Sequence, residues 1–144
     1  MTVVKIYASA TVYAAMLAMV RHYCLEPYFI VLGVFCLTFL LIYQALYQHR
    51  LTGAKDLAIA LGIALLMACL GFGTLLFWGY NYFTAAIFLT VCYNFFWGIF
   101  HYHLDRSLTW VAFWEILVIS LMIASLVLSV TNFRARILDG CNYF

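Results

Sequence analysis

From Leu57 to Trp78 the chain runs 22 residues without one charged side chain, LAIALGIALLMACLGFGTLLFW. As a helix this stretch is about 33 Å long at 1.5 Å per residue, enough to cross a hydrocarbon core of about 30 Å. Three further stretches have the same character: 28–47 (YFIVLGVFCLTFLLIYQALY), 82–102 (YFTAAIFLTVCYNFFWGIFHY) and 109–131 (TWVAFWEILVISLMIASLVLSVT). Lipid accepts only helices or closed barrels, because a backbone group has no water to pair with there. Barrel strands alternate in polarity over about ten residues, and none of these runs alternates. The sequence therefore predicts an all-α integral membrane protein.

Segment 3–20 is the ambiguous one. Lys5 stands near its start, and Ala, Ser and Thr dilute its apolar character. It fits a signal peptide badly, since Arg21 and His22 follow where small residues should mark a cleavage site. It fits an interfacial helix badly as well, because Lys5 alone does not make a polar face, whereas a lysine in the first turn of a span can snorkel to the headgroups. The expectation is a bundle of five transmembrane helices, about 3–20, 28–47, 57–78, 82–102 and 109–131, or four if 3–20 does not span. All of 1–144 forms a single domain, with 132–144 as a short tail.

Composition agrees. The chain is 69% apolar, 19% aromatic and 8% charged, against roughly 25% charged in soluble domains. A net charge of +2 gives no basic face for nucleic acid. With five spans, Lys5, Arg50, Lys55 and Arg106 share one side, and Arg21, Arg134 and Arg136 the other. The positive-inside rule then places the N-terminus in the cytoplasm. Cys24 and Cys141 fall outside the spans, both on the opposite side, where a disulfide between them can form if that side is extracytoplasmic. Cys36, Cys69 and Cys92 read as small buried hydrophobes. Pro27 suits the first turn of the second helix, where its missing N–H costs nothing.

Small residues recur at helical spacing: Ala60, Ala64, Ala68 and Gly71 on the third helix, Ala10, Ala14 and Ala18 on the first, Ser125 and Ser129 on the fifth. Such stripes let helices approach closely in a bilayer.

The ionisable groups crowd the end of the fourth stretch and the start of the fifth: His101, His103, Asp105, Arg106 and Glu115. Tyr93, Trp97 and His101 recur every four residues and share a helix face. A short connection makes the last two helices antiparallel, which brings Glu115 to the depth of Trp97–His101. A carboxylate in a membrane needs a partner, and His101 is the nearest in sequence. The expectation is a Glu115–His101 or Glu115–Arg106 pair that fixes the hairpin. Two ligand sites compete with it: a quinone pocket from Tyr93, Trp97, His101 and Glu115, and a metal site from His101, His103, Asp105 and His49. On a continuous helix His101 and His103 lie about 200° apart, so they share an ion only if the helix has ended there. Haem ligated by two histidines near mid-membrane has no candidates.

The helix end Tyr93-Asn94-Phe95-Phe96-Trp97-Gly98 with His101 and His103, followed by Trp114–Ser120, resembles a pattern found in small bacterial membrane proteins. The likeness covers 93–120, with Ile116 where that pattern carries Tyr. It implies a helical hairpin and no particular activity.

No catalytic or phosphate-binding motif is present. The function expected is a small polytopic subunit or scaffold, without catalysis of its own, packed in the bilayer against other membrane subunits or copies of itself. A redox-type subunit with a quinone or metal site near His101, His103 and Glu115 is the first alternative. An oligomeric small transporter or channel is the second, with Glu115 or the histidines as a ring.

Overall fold

The computed structural model describes residues 2–48, 53–78, 81–104 and 109–131. They form five helices: α1 (Thr2–Tyr23), α2 (Pro27–Gln48), α3 (Ala54–Phe77), α4 (Tyr82–Leu104) and α5 (Trp110–Val130). Four of them, α2 to α5, are long and apolar enough to cross a membrane. By length and composition the protein is a multi-pass membrane protein.

The helix ends follow local chemistry. Pro27 opens α2 as its first residue. Thr109 caps α5, its hydroxyl accepting from the Ala112 N–H at 3.2 Å, which satisfies one of the orphan donors of the first turn. Trp78 ends α3 and donates its indole N–H to Thr84 at 2.8 Å, tying the end of α3 to the first turn of α4. Cys24 follows α1 with φ 47°, the left-handed position where a helix usually ends on glycine. For any other L-residue that conformation costs roughly 1–2 kcal/mol. Cys24 is disulfide-bonded, while Cys36, Cys69 and Cys92 are free. Cys141, its partner in the sequence reading, lies outside the described residues. Cys36 and Cys69 are exposed rather than buried.

The most extensive helix pair is α2 with α3, followed by α1 with α4 and α4 with α5. The expected small stripe makes the first of these. Ala60, Ala64, Ala68 and Gly71 are buried on α3, and a Cβ built on Gly71 would stand 3.3 Å from the Val34 Cγ2 of α2. Gly98 of α4 meets Ile116 of α5 in the same way, at 3.4 Å. Close backbone approach takes the place of a hydrophobic drive in lipid.

Although α1 is the least apolar helix, it is no appendage. Tyr13, Leu17 and Val20 are almost wholly buried in the main core, with Val34 of α2, Met67 of α3 and Leu89 of α4. The Tyr13 hydroxyl lies 3.4 Å from that of Thr38 on α2, a buried polar contact between helices. By contrast, α5 rests on α4 as its one substantial neighbour, and among its residues Val127 alone is buried.

Candidate functional site

Both α1 and α5 pack on α4 but not substantially on each other. Between them runs an open groove of about 820 Å³ with α4 as its floor. Toward the C-terminal end of α4 it is lined by Tyr7, Trp97, His101 and Tyr102, and further along α4 by Asn94, Thr90 and Ser120, then Ile87 and Ile123. The walls are otherwise aliphatic.

The polar floor of the groove comes from the helical repeat of α4. The Thr90 hydroxyl donates to the Ala86 carbonyl at 2.8 Å. Asn94 in turn donates an amide hydrogen to the Thr90 carbonyl at 2.8 Å, which fixes its rotamer and leaves its carbonyl oxygen and second amide hydrogen for whatever enters the groove. One turn on, Trp97 stacks on His101 with centroids 5.9 Å apart and planes 11° from parallel. Tyr93 continues this ladder below Trp97, at 6.4 Å and 16°.

The residues expected to form a site divide. Trp97 and His101 line the groove. Tyr93 stacks beneath them but is buried in the main core. Glu115 is exposed on α5, outside the groove lining. The anticipated Glu115–His101 pair is not the knot of this hairpin, because Ile116 rather than Glu115 takes the place against Gly98. One residue of rotation turns the carboxylate about 100° around the helix axis. Of the metal candidates, His49 and Asp105 lie outside the described residues, as does Arg106, and nothing is described of the His103 side chain. The α4 backbone continues through His103 to Leu104, so positions 101 and 103 stay about 200° apart around the helix axis. Sequence reasoning missed Asn94 and Thr90 as groove residues. The signal was there, since Thr90, Asn94, Trp97 and His101 follow the 3–4 spacing of one face.

A second face emerges on the outside of α5. Val111, Glu115, Val118, Met122, Ser125 and Ser129 are all exposed and follow one another at alternating intervals of four and three residues. That spacing is the seam of a left-handed helix pair. The hydroxyls of Ser125 and Ser129 are spent on the Met122 and Leu126 carbonyls, at 2.8 and 2.7 Å. They therefore present small, smooth surfaces and no free donor. Glu115 stands five residues inside α5, about 7.5 Å along its axis.

Comparison with known proteins gives no matching family, no matching curated protein and no matching solved structure.

Proposed function

We propose that this chain is a five-span, non-catalytic subunit that docks through the outer seam of α5 onto a transmembrane helix of a different protein. The observation that carries this reading is the exposure of Glu115 within an otherwise apolar helix. A carboxylate inside a membrane is costly, by several kcal/mol at full depth, and such groups face a partner or a water-filled cavity. Here the described helices leave the face uncovered. A partner helix with a Lys, Arg or hydrogen-bonding donor opposite Glu115 covers it, and Ser125 and Ser129 let the two backbones close together. The same seam argues against a second copy: a parallel two-fold pair of α5 helices would set Glu115 against Glu115, a like-charge contact.

Two observations support the fifth span and the orientation. As a 22-residue helix, α1 carries core residues from Tyr13 to Val20 and flanks the groove from Ile6 to Ala10, so it lies along the bundle. A disulfide at Cys24 belongs in an oxidising compartment. Together they support an extracytoplasmic turn between α1 and α2 and a cytoplasmic N-terminus, the orientation that the basic residues favour.

The test is extraction of native membranes in a mild detergent, followed by sizing of the tagged chain. The expected result is one stoichiometric complex for the wild type, kept by Glu115→Gln, lost by Glu115→Lys and restored by an acidic substitution in the partner. Elution of the wild type as a lone monomer contradicts the proposal.

A further inference from the structure

Asn94 is the one carboxamide of α4 and stands near the middle of that helix. It spends one amide hydrogen on the Thr90 carbonyl, at 2.8 Å, and makes no other hydrogen bond among the described residues. Its carbonyl oxygen and second N–H are therefore left to the groove that Asn94 lines.

Ser120 is level with it on α5. Gly98 of α4 meets Ile116 of α5, and the two helices run antiparallel, so four residues along each in opposite directions bring Asn94 opposite Ser120. The hydroxyls of Ser125 and Ser129 are spent on carbonyls of their own helix. That of Ser120 makes no hydrogen bond among the described residues, and Ser120 lines the same groove. Two unspent polar groups thus share one level of an otherwise apolar trough.

The shape of the trough suits a rod. Because α1 and α5 each pack on α4 and not substantially on each other, a further helix can lie between them and touch all three at the usual separation of about 8–10 Å. The lining follows α4 from Ile87 to His101, about 21 Å at 1.5 Å per residue. An acyl chain in the trough would cover Asn94 and Ser120 and pair with neither, which is costly away from water. A second copy of this chain does not answer them either. On its exposed faces Thr11 and Ser125 have spent their hydroxyls on their own backbone, while Gln44 and Glu115 stand near helix ends, four residues from the end of α2 and five from the start of α5.

We propose that the groove seats a transmembrane helix of another protein that carries an Asn or Gln side chain level with Asn94. The partner's carboxamide accepts from the second Asn94 N–H and donates to the Asn94 carbonyl oxygen, one donor and one acceptor on each side. The Ser120 hydroxyl closes the cluster from α5. This seat is independent of the docking seam on α5, whose positions lie outside the groove lining.

The test places a benzophenone side chain at Tyr7, an exposed position of the groove lining, in the full-length chain in mild detergent. The protein is illuminated with a synthetic leucine–alanine helix of about 21 residues that carries either Asn or Leu at its centre. The expected result is an adduct of the peptide's mass, about threefold or more in favour of the Asn peptide, the average worth of one hydrogen bond between membrane helices. Asn94→Leu brings the two peptides to equal yield, and Asn94→Ala does so if the leucine variant does not elute as a single species. The same probe at Leu40, exposed on α2, does not discriminate between the peptides. Equal yields from Tyr7 in the wild type, or a preference that survives the Asn94 substitution, overturn the proposal. So does an adduct to detergent or added lipid alone, which would assign the groove to acyl chains, or one that joins two copies of this chain in preference to the peptide.

Discussion

Gly71 sets the distance between α2 and α3, and enlarging it should separate the pair. Its missing Cβ would lie 3.3 Å from Val34 Cγ2 and 3.7 Å from both Cβ and Cγ1 of the same residue. Alanine needs a shift of a few tenths of an ångström. That strain roughly offsets the gain of about 0.8–1 kcal/mol from replacing a helical glycine, so Gly71→Ala should be close to neutral. Leucine adds three further carbons where Val34 already stands. Val34 is almost fully buried, and in a helix its branched side chain has one strongly preferred rotamer. Overpacking of this kind costs about 1–3 kcal/mol. Removing the two Val34 methyls should relieve it, so the double variant Gly71→Leu/Val34→Ala should lose less than the two single losses added, with a coupling of about 0.5–3 kcal/mol. Unfolding in mixed micelles by increasing dodecyl sulfate, followed by far-ultraviolet circular dichroism, measures each. Strictly additive losses, or an unchanged Gly71→Leu, would refute the packing argument.

Tyr13→Phe removes the buried contact of 3.4 Å with Thr38 but keeps the ring in the core. In the same micelle assay its loss should be no more than about 0.6 kcal/mol, the average for a hydrogen bond between membrane helices. Because Cys24 is disulfide-bonded, Cys24→Ser should abolish the mobility difference between reduced and unreduced protein on gels, and Cys36→Ser should not. Reporters fused to the two termini should read opposite sides of the membrane, cytoplasmic at the N-terminus. The same side for both would mean that α1 does not span.

The positions of the helices were legible in the sequence and their rotations were not. Apolar runs marked α2 to α5 to within about three residues, and Pro27 gave one of the starts. The stripe from Ala60 to Gly71 also announced its own burial, because close approach demands small residues whatever the solvent. Glu115 shows where such reasoning ends. Its depth follows from its distance to the turn, but its direction depends on which face of α5 meets α4. In water a polar stripe would have marked the outer face. In lipid both faces are apolar, so the pattern carries almost no directional signal. Tyr93 shows the same limit: it shares a face with Trp97 and His101, yet one turn deeper that face already belongs to the core shared with α1. The groove depends on α1 lying beside α4, a neighbourhood that chain order does not fix.

The claim that α5 docks on a foreign helix is tested most directly by a photo-crosslinking side chain placed at single positions in the native membrane. Val118 lies on the α5 seam, and Leu40 is even more open on α2. Illumination should join the chain at Val118 to one protein of defined mass, with Met122 giving the same adduct and Leu40 giving none. Adducts to lipid alone at Val118, or to a second copy of this chain, would contradict the account.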